Sequence, residues 1–392
     1  MDQGSSKYRE PVVQVLRANL VVGIDGPLEP GVVEIADDGT IASVAAGSEM
    51  APGARPVDLD ILAPGFVDLQ VNGIEKVDVA TADGTDWDVL DQLLLAQGVT
   101  TWCPTLVTAP PRDTEQSCQR VKLAMLRPGA GRPEIAGIHL EGPFISVPGA
   151  HRREFVRDQV DPSFAENLDP AVRIVTLAPE IPGAMDSISA LSVRGVLVSI
   201  GHSACTAEQA HQAAGLGARL VTHLGNAMGP FHHRNPGLMG AALTDDRLAV
   251  SVIGDLEHVH ADVIRLAFAA KPEDRVVLVT DAVATGYGHV GPVELAQPME
   301  PDGAVRAARL RDGTLAGSSL RMDRAVSNAV SFSGVGIARA VSAASATPAK
   351  LLGLKDRGAI APGMRADLVA LDRNADLAVV AVWITGHRVL AK

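Results

Sequence analysis

Two histidines stand directly after short apolar runs. Val196 to Ile200 leads into Gly201-His202, and Arg219 to Thr222 leads into His223. Between the runs lies a helix-compatible segment, Thr206 to Ala214, closed by Gly215 and Gly217. The pattern is strand, helix, strand, with an imidazole at the C-terminal end of each strand. In parallel α/β sheets and barrels, ligands and chemistry gather at those strand ends. Neighbouring strands lie about 4.8 Å apart, so two such imidazoles can reach one metal ion. A third group, Glu141, follows another apolar stretch in His139-Leu140-Glu141-Gly142-Pro143. Glu141, His202 and His223 together offer two imidazoles and one carboxylate with a position left open for water. Zn²⁺ is the first expectation for one divalent ion in that set, and Fe²⁺ also fits. A bound divalent cation brings the pKa of water down toward ~7. Asp281 follows four apolar residues in Leu278-Val279-Thr280-Asp281-Ala282, where an unpaired carboxylate would be costly to bury. It could take a proton from that water and later deliver it to a leaving group. His258, in Gly254-Asp255-Leu256-Glu257-His258, could polarise a carbonyl or hold a substrate. Each residue alone has an ordinary reading as a loop anchor or a hydrogen-bonded core group. Their shared placement at strand ends is what points to a site.

The elements that must carry these residues can be counted. Candidate strands are Phe66 to Val71, Gly98 to Trp102, Ile135 to Leu140, Arg173 to Ala178, Val196 to Ile200, Arg219 to Thr222, Ala249 to Ile253, and Val276 to Thr280. Helical segments fall at Trp87 to Ala96, Thr114 to Leu126, Thr206 to Ala214 and His260 to Ala269, with two more at Met322 to Phe332 and Ile337 to Ala344. Eight alternations predict an α/β fold, a (β/α)8 TIM barrel. Before Ala63-Pro64-Gly65 the chain shows only short strand-like runs, with a hairpin turn at Asp37-Asp38-Gly39. Ala366 to Asp372 and Val379 to Val389 are strand-like again. Both chain ends are therefore expected to build one small β-sandwich, residues 1–63 with 364–392, beside a barrel over 64–363.

Composition narrows the function. The chain has 392 residues, is 47% hydrophobic and 20% charged, and carries a formal charge of −12. That is a globular protein without a Lys/Arg block, which argues against nucleic acid or an anionic membrane as partner. No stretch is apolar enough to span a bilayer, and the first residues lack a signal-peptide pattern. Cys103, Cys118 and Cys205 have no metal-type spacing and fit reduced cytoplasmic thiols.

Several stretches go further. They are PGFVDLQVNG (Pro64 to Gly73), HLEGPF (His139 to Phe144), GAH (Gly149 to His151), TLAPE (Thr176 to Glu180), GHSA (Gly201 to Ala204), THLGNAM (Thr222 to Met228), RNPGL (Arg234 to Leu238), LVTDA (Leu278 to Ala282) and LAGSSL (Leu315 to Leu320). In order and spacing the chain resembles the amidohydrolase superfamily, and within it the family of N-acetylglucosamine-6-phosphate deacetylases. The resemblance implies metal-dependent hydrolysis of the acetamide of N-acetyl-D-glucosamine 6-phosphate to D-glucosamine 6-phosphate and acetate, by a cytoplasmic homodimer, with a catalytically silent scaffold acting as a binding protein as the remote alternative. It implies Glu141, His202 and His223 as metal ligands, Asp281 as general base and then acid, and His258 on the acetyl carbonyl. Asn226, the backbone of Ala227 and Arg234 would hold the sugar phosphate. Ala150, His151, the segment Asp255 to His258, and Leu315, Ala316 and Gly317 would line the sugar pocket. The sequence also departs from the pattern. Gln70-Val71-Asn72 replaces the HxH of two-metal members, and an amide is a poor Zn²⁺ ligand, so one metal is expected. Gly225, Leu256-Glu257 and Ile74-Glu75-Lys76 depart as well. They leave an N-acetylgalactosamine 6-phosphate or another N-acyl amino sugar as the alternative substrate.

Overall fold

A computed structural model describes residues 12–24, 26–48, 56–285, 289–290, 293–294 and 307–391. Eight strands run parallel through one sheet and are labelled in chain order. They are β1 Phe66–Glu75, β2 Val99–Val107, β3 Ile138–Glu141, β4 Val172–Leu177, β5 Leu197–Ile200, β6 Leu220–Val221, β7 Ala249–Ile253 and β8 Val276–Val279. Each pairs in parallel with the next. Past β8, the short strand Ala282–Ala284 lies parallel to β1 with Ala282 opposite Val71. Between them, Asp281 N donates to Gln70 O at 2.9 Å. The last strand thus returns to the first through its continuation, while β8 and β1 form no direct ladder.

Why these runs form buried strands is visible in their composition. The residues of β5, β7 and β8 are all buried, as expected where parallel strands are covered on both faces. Polar side chains on neighbouring strands and at their ends pair across the sheet. Thr222 Oγ1 lies 2.6 Å from Ser199 Oγ and 2.8 Å from Thr176 Oγ1, which in turn meets His139 Nε2 at 2.8 Å. This hydrogen-bonded layer satisfies buried hydroxyls that would otherwise be costly.

The helices begin and end close to their sequence signals. Ala207–Leu216 opens with a capping box, Thr206 Oγ1 accepting from Gln209 N at 3.2 Å and Gln209 Oε1 from Thr206 N at 2.9 Å, and closes at Gly217 with φ 117°. A glycine tolerates that left-handed backbone without a Cβ clash. Pro111–Met125 begins three residues before the expected start, with proline in its first turn. Ala184–Val193, Gly237–Thr244 and Ala346–Leu351 are helices that the periodicity did not indicate.

Strands from both chain ends share one eight-stranded sheet. Its order is His387–Ala391, Ala378–Ile384, Leu368–Asp372, Val57–Pro64, Val12–Gly23, Gly31–Ala36, Ile41–Ala46, with Gly26–Leu28 beside Val12–Gly23. Side chains alternate between two cores along each inner strand. Leu62, Leu368, Ala370, Ala381 and Trp383 join the sheet's own cluster. Ile61, Ala63, Val369, Leu371, Val382 and Ile384 pack into the main core. Glu134, just before β3, accepts from Arg357 at 2.7 Å and Arg365 at 2.6 Å, tying the late chain to the parallel sheet.

Candidate active site

Glu141 is the last residue of β3, and His202, His223 and Asp281 follow the ends of β5, β6 and β8. The chain turns sharply at each of the latter three. Their φ angles are 50°, 33° and 48°, and Ala227 has 46°. Non-glycine residues with such angles cost of order 1–3 kcal/mol each and cluster where function demands a particular side-chain direction. Here the reward is convergence. His223 Nε2 lies 3.0 Å from Glu141 Oε1 and 3.1 Å from His202 Nε2, and His202 Nε2 lies 3.2 Å from Glu141 Oε1. A tetrahedral ion with ligand distances near 2.0–2.2 Å holds its ligand atoms about 3.3 Å apart, so the three groups fit such an ion.

His151 also approaches. Its ligand atoms and those of Glu141 and His202 all lie within 4.8 Å of one another. Tautomers separate the two histidines. His202 Nδ1 faces the carbonyl of Val147 at 2.8 Å, so Nδ1 carries the proton and Nε2 keeps a free lone pair. His151 Nδ1 instead faces the backbone N–H of Thr108 at 3.4 Å and its hydroxyl at 2.7 Å. The N–H can only donate, which leaves the proton of His151 on Nε2, 3.8 Å from Glu141 Oε2. Burial, then the neighbouring His202, pushes His151 down to about 3, so it stays neutral. Of the two groupings, Glu141 with His202 and His223 is the tighter and the better supplied with lone pairs.

Electrostatics at Glu141 and His223 oppose burial. Burial alone would raise Glu141, but hydrogen bonds to His202 and His223 hold it well below the usual carboxylate range. Burial alone would lower His223, but its bond to Glu141 wins and raises it. A cation entering this site must displace that proton. Metal binding should therefore release protons and weaken as pH falls through the raised His223 range. Calorimetric titration of the metal-free protein with Zn²⁺, in buffers of different protonation enthalpy, checks this. Heats independent of the buffer would contradict it.

Asp281 sits beside the triad. Burial, followed by the Glu141 charge, pushes its carboxyl up to about 6. Its Oδ1 accepts from Gln70 Nε2 at 3.1 Å and from Asn72 Nδ2 at 2.8 Å. Below it, Asp68 accepts from the Thr280 hydroxyl at 2.6 Å and anchors the turn. His258 is fixed by Asp255, whose Oδ2 lies 2.6 Å from His258 Nδ1. Asp255 Oδ1 accepts from the backbone N–H groups of Glu257 and His258 at 2.9 and 2.8 Å. Nε2 of His258 is thereby left for the cavity. An amide at position 255 cannot serve both sets of partners. Asp255→Asn should misplace the imidazole proton and cost ~10²–10⁴-fold in kcat. Steady-state rates of the folded variant measure it, and an unchanged kcat would remove Asp255 from the site.

A cavity of about 1060 Å³ opens over these groups. Glu141, Ala150, His151, His202, His223, Asn226, Ala227, His258, Asp281, Leu315, Ala316 and Gly317 all line it. Arg234 does not. It lies on an exposed loop with Nη1 2.9 Å from His233 Nε2. Glu257 also stands off the cavity wall, half-exposed and 3.6 Å from Arg309. The loop departure contributes Lys76, and the helix Pro111–Met125 contributes Arg120. Sequence reasoning did not single out Gln70, Asn72, Thr108 or Arg120 as site groups. Only Gln70 and Asn72 carried a signal, as amides where a metal-ligand motif is expected.

The model of the amidohydrolase family matches residues 61–389. The chain belongs to the amidohydrolase family. Among other amidohydrolase-type relatives, it is 42% identical to the Homo sapiens N-acetylglucosamine-6-phosphate deacetylase over 349 residues, 84% of this chain and 83% of that one. It is 36% identical to the N-acetylgalactosamine-6-phosphate deacetylase of Escherichia coli O157:H7, covering 96% of this chain and 99% of the relative. A solved mutant of the Mycobacterium smegmatis N-acetyl-D-glucosamine-6-phosphate deacetylase, in complex with N-acetyl-D-glucosamine-6-phosphate, superposes with TM-score 0.87 at 34% identity. It covers 96% of this chain and 99% of that one.

Proposed function

We propose that the protein hydrolyses the acetamide of N-acetyl-D-glucosamine 6-phosphate to D-glucosamine 6-phosphate and acetate. The observation that carries this reading is the convergence of Glu141, His202 and His223 beside Asp281 on one cavity wall. A divalent cation held by those three groups, Zn²⁺ first and Fe²⁺ second, would supply Lewis acidity to the acetyl carbonyl and acidify an attacking water. Asp281 takes the proton of that water and returns it to the departing amine. His258 faces the carbonyl through Nε2. Ala150, His151, Asn226, Ala227 and Leu315 to Gly317 surround the sugar. Arg234 holds the phosphate, for which its guanidinium fork is suited. Its place outside the cavity of its own chain favours a homodimer in which a second copy brings it to the ligand. The free, buried Cys103, Cys118 and Cys205 support a cytoplasmic setting. Among the described residues no helix is long and apolar enough to cross a membrane.

We read the parallel sheet as a closed (β/α)8 barrel, supported by the return of Ala282–Ala284 to β1. Residues 64–363 would form it, with 1–63 and 364–392 as the accessory β domain.

A second reading keeps the chemistry and changes the epimer. One relative matched over 99% of its own length is an N-acetylgalactosamine-6-phosphate deacetylase. Acetate release by metal-analysed protein, offered both 6-phosphates side by side, decides. Turnover of the gluco compound with about one metal per chain is expected. Turnover of the galacto compound alone would transfer the assignment to that epimer, and turnover of neither would refute both.

A further inference from the structure

We propose that Glu180 is a positioning residue: its carboxylate locks together the loops that follow β3 and β5, so that His202 is held in one direction and the sugar-facing loops are set with it. The inference rests on the reading of His202 as a metal ligand.

Glu180 stands just past the end of β4, half-buried, in a motif that the proposed chemistry leaves without a task. It does not line the cavity, so it acts only through other residues. Its Oε1 accepts from the backbone N–H of Ala204 at 2.7 Å and from the Ser146 hydroxyl. Its Oε2 accepts from the Ser203 hydroxyl at 2.7 Å. A carboxylate meets all of these donors because it brings no hydrogen of its own. Ser146 belongs to the loop after β3, and Ser203 and Ala204 to the loop after β5. Ser146 Oγ also accepts from Ala204 N at 3.1 Å, which closes the joint.

What the joint holds is His202. Its backbone has φ 50°, a conformation that persists only where the surroundings over-determine it. The His202 carbonyl accepts from the N–H groups of Ser146 and Val147, both at 2.9 Å. Its Nδ1 donates to the Val147 carbonyl at 2.8 Å. Ser146 and Val147 thus fix both the backbone and the tautomer of His202, and Glu180 fixes them against the residues that follow it. The same joint reaches the sugar pocket. Val147 leads into Ala150 and His151, which line the cavity. Ser203 N donates to the carbonyl of Ala227 at 3.0 Å, and Ser203 O accepts from Gly229 N at 3.3 Å, so the loop after β6 is tied in as well.

The test uses the full-length protein, stripped of metal and titrated with Zn²⁺ against a chromogenic chelator. Glu180→Ala should raise the Zn²⁺ dissociation constant about tenfold, as loss of a group that orients a ligand does. In the zinc-saturated variant KM should rise several-fold while kcat stays within a few-fold, because Asp281 and His258 stand on other loops. Glu180→Gln should restore both values. Its amide oxygen can accept from Ala204 and Ser146, and its nitrogen can donate to the Ser203 hydroxyl. Ser203→Ala removes one donor and should fall between. A merely structural Glu180 would lower the melting temperature of the metal-free protein and leave zinc affinity alone. Wild-type zinc affinity in folded Glu180→Ala overturns the inference, and so does a Glu180→Gln variant as weak as Glu180→Ala. If Glu180→Ala does not fold, Ser146→Ala and Ser203→Ala carry the test, and unchanged affinity in both overturns the inference. Wild-type protein that binds no Zn²⁺ would instead remove the reading of His202 on which the inference rests.

Discussion

Asp281→Asn should lose ~10²–10⁴-fold in kcat while retaining its metal and its fold. The amide oxygen of the variant can still accept from Gln70 and Asn72, which reach Oδ1 at 3.1 and 2.8 Å. Glu141, His202 and His223 are untouched. What disappears is the carboxylate to which the proposed function gives the water's proton, and an amide nitrogen in its place cannot take one. Stability should not suffer. The Asp281 carboxyl is pushed up to about 6 in the fold, against an ordinary value of 3.8. A raised carboxyl destabilises the fold at pH values where the unfolded chain would ionise it, that is above its ordinary range. Removing that charge in the metal-free protein should leave the melting temperature at pH 7 unchanged or higher. Acetate-release kinetics, metal analysis and a thermal melt make the comparison. A kcat near wild type would mean that another group moves the proton.

His202→Ala should abolish metal retention and with it ~10³-fold or more of the rate, the equivalent of several kcal/mol of charge stabilisation. The imidazole is 5% exposed and supplies one of three converging lone pairs, oriented by its Nδ1–H on Val147 O at 2.8 Å. Methyl in its place leaves two ligands and a void that water fills. His151→Ala is the informative companion. His151 presents an N–H to the cavity, so its loss should raise KM and leave metal content intact. Elemental analysis of both proteins after dialysis gives the answer. Metal lost from His151→Ala and kept by His202→Ala would exchange the roles of the two histidines.

Much of this arrangement is legible in the sequence because each strand of the parallel sheet is a short, nearly unbroken apolar run with a polar residue at its end. Val276–Val279 followed by Thr280-Asp281 is an example, as is Leu197–Ile200 followed by Gly201-His202. The helices that escaped notice lack contrast. Gly237–Thr244 is apolar almost all round and contains two glycines, so no face stands out. Ala346–Leu351 has six residues, too few for a period to show. The supporting contacts are illegible for a different reason. Gln70 and Asp281 are 211 positions apart, and Gln70 and Glu141 are 71 apart. Nothing local marks a glutamine as the donor between two carboxylates. Arg234 shows the reverse limit. Its motif is clear in the chain, yet its side chain lies off the cavity.

The sheet built from both chain ends sets a timetable for folding. Strand Val57–Pro64 pairs with Val12–Gly23 on one side and with Leu368–Asp372 on the other, Ala63 lying opposite Val369. During synthesis, that edge of Val57–Pro64 therefore stays unpaired until Leu368–Asp372 has emerged. Contacts of such long sequence separation form late and slowly. The face carrying Ile61 and Ala63 packs into the main core, so its burial also depends on the parallel sheet. Truncation before Leu368 should thus do more than shorten the protein: it would leave a strand edge permanently open to pairing with other chains.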